Sequence, residues 1–316
     1  MMPRMPTLIL RVPGLLTLVL SVAVFGQPSG AIAAGPGLAD SICPPRTLTR
    51  EGLLAMKSGG FQAASDEERN RIALLLPQCL GDPDPVLRDE IAFEALSTWM
   101  RGSALQPATI RQLAATLTPE LRAPDDAAGF RKSFVALVLS EVARADRVAG
   151  VLEPEARKAL VDAAAAYLIG ITDYRGFDPR AGWRHGVAHG ADLVLQLGLN
   201  EEIAAGEVRR LLGALAAQVA PGAVSYTFGE PERFARAAYF IHRRGVLDEA
   251  FWEDWLRAFG TPGGPDFHRS VEGLARRHNA TAFLHALAFA GRTAGDEGGA
   301  KLAALADREL RRMMGG

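Results

Sequence analysis

DYRGFDPRAGWRHGVAHGADLVLQLGL, residues 173–199, is the stretch around which the rest of the chain is organised. It holds two of the six histidines, one of the four tryptophans and a dense set of glycines and charges. At about 100° per residue, the run 183–199 reads as a helix. His185, His189, Asp192 and Gln196 then follow an i, i+4, i+7, i+11 ladder along one stripe. Most other positions are apolar or glycine, and Arg184 is the one further charge. A helix apolar nearly all round is a buried helix. The imidazoles and the carboxylate are therefore expected inside, where polar groups need partners.

Three readings of the stripe stand side by side. His185, His189 and Asp192 could hold a divalent metal, since imidazole and carboxylate at helical spacing can face one ion. Against that, H-x-x-x-H lacks the glutamate of H-E-x-x-H, and three ligands from one straight helix suit a tetrahedron poorly. Second, the same residues could line a pocket for an anion or small polar molecule, with Arg175 helping. Third, they could form a structural hydrogen-bond network tying the helix to its loop and neighbours. Upstream, residues 173–179 read as an irregular polar loop from which Arg175, Asp178 and Arg180 could reach the stripe. Gly182, Gly186 and Gly190 fall four apart on a neighbouring strip. Each costs roughly 1 kcal/mol of helix propensity, which close approach of another backbone would offset.

The composition fits a helical globular protein. Of 316 residues, 48% are hydrophobic and 22% charged, while aromatics are only 7%. Abundant Ala and Leu with few aromatics favour helix over sheet. The formal net charge is -1 and no basic block appears, which speaks against a nucleic-acid partner. Residues 1–33 read as a secretory signal. Arg4 and Arg11 precede an apolar core at 14–25, and Ala31-Ile32-Ala33 supplies a small-x-small cleavage pattern. The alternative is an uncleaved N-terminal anchor. The expected location is periplasmic or secreted, with no membrane span after cleavage. Residues 34–40 read as a linker, and 41–316 as a single helical domain. Cys43 and Cys79 lie in the exported part and could pair, which would stabilise the fold by roughly 3–4 kcal/mol on the chain-entropy model.

From about Ser41 onward the text is helical. Ser65 with Glu68 opens a helix through Leu80 in a capping-box pattern. Pro85 begins the next, to Arg101, and Pro107 another that ends before Pro119. Further helices are expected over 125–149, 153–169, 201–219, 230–244, 248–259 and 298–314, with two or one broken across 267–290. No alternating strand is evident. Helices of this length with short joints suggest an all-α superhelix of antiparallel hairpins, a HEAT- or armadillo-like solenoid, with an α/α toroid as the alternative. Either offers a concave face lined by inner helices.

Outside the central stretch, Glu230, Glu232 and Arg233 sit at a helix start. They read either as charge complementing the N-terminal dipole or as acids partnering His185 or His189. His285 stands in an otherwise apolar run and reads as a core residue; His242, His268 and His278 stand beside arginines and read as surface. No nucleotide-binding glycine loop, G-x-S-x-G elbow or Walker motif is present.

Several segments resemble a bacterial domain-of-unknown-function family, number 2785. They are residues 83–90 (PDPVLRDE) with 92–94, residues 131–139 (RKSFVALVL), Arg175-Gly176-Phe177 followed by 182–193 (GWRHGVAHGADL), 231–234 (PERF) and 279–284 (NATAFL). The resemblance covers most of the exported part, and the central run is its most distinctive piece. It implies an all-helical fold and carries no established activity.

Two functions follow as expectations. In the first, an exported helical-repeat protein binds a small polar or anionic ligand, or a protein partner, on its concave face. The residues concerned are Arg175, Asp178, Trp183, His185, His189, Asp192, Gln196, Glu232 and Arg233. In the second, His185, His189 and Asp192, assisted by Glu232 and Arg175, serve a metal-dependent or acid/base hydrolase. The cofactor is open, with a divalent metal as the candidate.

Overall fold

Proline and capping residues set where the helices of this chain begin. The structure, a computed structural model, describes residues 43–315; the expected signal and linker lie outside the described residues. The helices are α1 (Arg50–Ser58), α2 (Asp66–Leu75), α3 (Pro85–Leu87), α4 (Glu94–Arg101), α5 (Pro107–Leu117), α6 (Arg131–Ala149), α7 (Pro154–Gly170), α8 (Gly186–Gly198), α9 (Ala205–Val219), α10 (Glu230–Arg244), α11 (Glu249–Arg257), α12 (Val271–Thr293) and α13 (Glu297–Met313). Two-residue strands β1 (Phe177–Asp178) and β2 (Gly182–Trp183) form a small antiparallel hairpin before α8. The fold is all-α.

Local chemistry explains the boundaries. Ser65 Oγ accepts the Glu68 amide at 3.1 Å and starts α2. Pro77 lacks an N–H, so α2 gives way to a tight 3-10 turn at Leu76–Cys79 instead of running to Leu80. Between α3 and α4 the chain widens into a π turn at Arg88–Phe93. The expected helix over 125–149 starts later, at Arg131, because Asp126 holds the lead-in: its carboxylate accepts the amides of Gly129 and Arg131. Ser270 caps α12, which is one unbroken helix. Gly291 lies within it; an added Cβ there would lie 2.4 Å from the Gly299 carbonyl, so the glycine serves close packing of α13.

The helices pack in two rows. The even-numbered ones lie side by side, α4 on α6, α6 on α8, α8 on α10 and α10 on α12. In the second row α5 packs on α7 and α7 on α9. Helix α8 is thus flanked by α6 and α10 and backed by α7 and α9. Its far end is fixed by a buried ion pair. Asp146 on α6 accepts from Arg157 on α7 at 2.6 Å and from Asn200, just beyond α8, at 2.7 Å. Cys43 and Cys79 form a disulfide. Among the described residues no helix is long and apolar enough to cross a membrane.

Candidate functional site

The hairpin that leads into α8 corrects the ladder expected from spacing. Asp178 Oδ1 accepts the amides of Arg180 and Ala181, both at 2.8 Å, and so closes the hairpin turn. Gly182 has φ +76°, and a Cβ there would come within 3.0 Å of Arg88 and Pro85. Its role is the turn, not a helical strip. The amides of Arg184 and His185 donate to the carbonyls of Gly176 and Arg175. His185 then turns into the left-handed region at φ 52° and becomes the N-cap of α8. A helix that begins at Gly186 takes His185 out of the stripe and leaves His189, Asp192 and Gln196 on it. Gly186 and Gly190 do pack closely, but against the side chains of Tyr167 and Leu168 on α7, not a backbone.

Both imidazoles are nonetheless buried, and they lie edge to face 5.8 Å apart. His185 stacks on Trp183 at 4.8 Å, and Trp183 in turn contacts the exposed rings of Phe177 and Phe228. Among the described residues its Nε2 has no hydrogen-bond partner, and it lies 3.8 Å from Glu230 Oε1, too far for a hydrogen bond. His189 Nδ1 is 2.9 Å from Ser133 Oγ and 3.1 Å from Ser133 O. The Ser133 hydroxyl donates to the Arg184 carbonyl. Its lone pairs and its own carbonyl therefore receive the proton on His189 Nδ1, which leaves Nε2 as the free lone pair. Burial, with His185 and Arg233 adding to it, lowers the His189 pKa to about 3. Burial and Arg233 lower that of His185 to about 4. Both rings are neutral near pH 7. Burial raises the pKa of Glu230 and of Asp192, the latter despite its contact with Arg233.

The partners of the remaining residues decide what the cluster can do. Asp192 is held by Arg233. Gln196 accepts from Arg147 Nε at 3.3 Å. Arg175 turns away and pairs with Asp173 at 2.8 Å, so it does not reach the stripe. Of the two acids considered, Glu230 is the one beside His185; Glu232 is exposed and faces another groove. His285 is also exposed, not a core residue. The metal triad is parted by these contacts: His185 caps the helix, His189 is tied to Ser133 and Asp192 to Arg233. Among the described residues no group of three or more His, Cys, Asp or Glu is placed to hold a metal ion.

What the geometry does assemble is a polar cavity of about 300 Å³ lined almost wholly from the even-numbered helices. His189 and Asp192 reach it from α8, Glu141 from α6, Arg101 from α4, and Arg233 and Arg236 from α10. Arg101 is paired with Glu141 and Arg233 with Asp192. Arg236 makes no hydrogen bond or ion pair among the described residues, and it acts on Asp192 only through space. Three guanidinium groups thus face two carboxylates, with a neutral imidazole beside them. Spacing alone could not reveal Ser133, Arg101, Glu141 or Arg236. Ser133 carried no signal of its own, since the same face of its helix also holds Ser140, Arg144 and Arg147.

A protein-family model described as "Protein of unknown function (DUF2785)" matches residues 117–289, more than half of the chain. The matched span runs from the end of α5 to α12 and includes the whole hairpin and α8. No curated protein and no solved structure matches.

Proposed function

We infer, for a chain that belongs to the DUF2785 family, that the protein is an exported, non-catalytic binding protein that takes a small carboxylate in the cavity beside His189. The observation that carries this is Arg236, a guanidinium at the cavity without an acid of its own. Guanidinium forks are suited to carboxylates, and the neutral His189, its Nδ1 proton held by Ser133, adds no charge to the cavity wall. The two-row packing supports a stack of helical hairpins whose inner row presents the ligand face. The Cys43–Cys79 disulfide supports an oxidising compartment outside the cytoplasm.

The hydrolase reading is the weaker one. A general base works best with a pKa near the working pH. Imidazoles lowered to about 4 and about 3 are poor bases at neutrality. Their arrangement instead suits a rigid wall: His189 joins α8 to α6 through Ser133, and Ser133 joins both to the hairpin through the Arg184 carbonyl.

Calorimetric titration of the protein with butyrate at low ionic strength tests the reading. Binding is expected, weakened about fivefold to tenfold in Arg236→Gln and further by added salt. Absence of butyrate binding to the folded protein, or binding unchanged in Arg236→Gln and Arg233→Gln, overturns it.

A further inference from the structure

Arg236 faces two spaces. On one side is the polar cavity; on the other is an open groove of about 760 Å³ between α10 and α12. The groove is lined mainly by Ala235, Tyr239 and Phe240 of α10 and Ala282, Ala286 and Phe289 of α12. Alanines keep its floor low, and the exposed rings of Phe240 and Phe289 form its walls. Phe289, 65% exposed, shares the groove with the exposed Phe240, so the two form a patch rather than scattered single residues. Along α12 the lining runs from Ala282 to Thr293, about 16 Å at 1.5 Å per residue. Its polar groups are Arg236, Glu232, His285, Thr293 and the Tyr239 hydroxyl, which accepts from Arg243.

We propose that the ligand is an amphipathic carboxylate of the fatty-acid type, its headgroup on Arg236 at the mouth of the polar cavity and its aliphatic chain along the α10–α12 groove. This rests on the anion-binding reading and narrows it to a ligand class. The groove alone would suit many apolar partners. Its junction with an unpaired guanidinium selects one with a negative end, and the length of the lining matches a medium-length acyl chain. A charged head and an apolar tail meet complementary surfaces only in this orientation. Glu232, one helical turn before Arg236, is the single acid in the groove and opposes the headgroup.

The test is a titration of the protein with three probes: butyrate, laurate and dodecanol. Laurate is expected to bind at least a hundredfold more tightly than butyrate, since each buried methylene adds roughly a two- to fourfold gain. Arg236→Gln should weaken laurate about fivefold to tenfold and leave dodecanol unchanged; Glu232→Gln should strengthen laurate severalfold. Ala286→Trp, which fills the floor, should erase the gain of laurate over butyrate. Phe289→Ala, at an exposed position that does not endanger folding, should reduce that gain. Butyrate binding with no gain for laurate overturns the groove proposal and leaves the anion reading standing. Dodecanol as tight as laurate, with Arg236→Gln silent, overturns the head-and-tail orientation. No binding of butyrate or laurate overturns both.

Discussion

Replacing Arg88 by methionine should cost the fold about 3 kcal/mol, although Arg88 lies in neither α8 nor the cavity. Its side chain is fully buried between the π turn and the hairpin. Nη1 donates to the Asp82 carbonyl at 2.7 Å and Nη2 to the Ala181 carbonyl at 2.8 Å. Nε lies 2.6 Å from Asp89 Oδ1, close enough to pair but poorly directed for a hydrogen bond. The guanidinium carbon sits 3.8 Å from the centre of the Phe130 ring. Asp89 completes the clasp by accepting from the Trp183 backbone.

Methionine keeps most of the volume and removes every donor. Two charge-assisted hydrogen bonds are worth about 1.5–3 kcal/mol each, and the ring contact about 0.5–2 kcal/mol. Against these stands the desolvation of a buried guanidinium, several kcal/mol, which the variant no longer bears. The carbonyls and Asp89 left behind keep the balance unfavourable, near 3 kcal/mol. For a chain of this size that is a fall in Tm of roughly 4–5 °C. Urea unfolding followed by circular dichroism measures the loss, and hydrogen exchange of the Ala181 and Trp183 amides shows whether the hairpin loosens first. Arg88→Lys should recover less than half, because an ammonium cannot serve two carbonyls in a fixed fork. A loss below about 1 kcal/mol with unchanged exchange at the hairpin would refute the reasoning.

Three other perturbations have definite signs. The folded pKa of His189 lies below its unfolded value near 6.5, so the unfolded chain binds the extra proton; this contribution is complete above pH 6.5 and is lost as pH falls towards about 3. Wild type should therefore lose about 2 kcal/mol relative to His189→Gln between pH 7 and 4.5, while the opposite drift from Asp192 and Glu230, present in both proteins, cancels; equal slopes would contradict this. Breaking the Cys43–Cys79 bridge, 36 residues apart, by Cys79→Ser with Cys43→Ser should lower unfolding free energy by about 4 kcal/mol in matched denaturant curves, with no titratable thiol in the intact protein. Gly198→Ala places a Cβ 2.4 Å from buried Ile241 Cδ1 where α8 crosses α10, and overpacking of about 1–3 kcal/mol should outweigh a helix-propensity gain of about 1 kcal/mol; a stabilised variant in thermal melts would show that the helices can part there.

Much of the helical order is legible because its signals are local. Ser65, Pro85 and Pro107 announce helix starts through their own side chains and rings. The importance of the stretch around α8 is legible too, since apolar residues on every side imply burial. The hairpin is not. Two residues per strand are too few to show alternation, and its register is fixed by the Asp178 side chain and by Gly182 in a left-handed conformation. Three residues later, the left-handed turn at His185 breaks the ladder that perfect helical spacing would give. Partner choice is equally hidden. Ser133 meets His189 across 56 residues and Arg233 meets Asp192 across 41, and helix packing sets both pairings. Glu230 rather than Glu232 faces His185 because helix α10 presents these two positions in different directions, which depends on how α10 lies against α8.

The central claim is that the face of α8 beside His189 is a carboxylate site completed by α10. A crystal structure of the protein with bound laurate tests it most directly. The account predicts the carboxylate within hydrogen-bond reach of Arg236, at the His189 side of the even-numbered row, with the chain lying between α10 and α12. Laurate held elsewhere, with Arg236 and His189 facing only solvent, would contradict it.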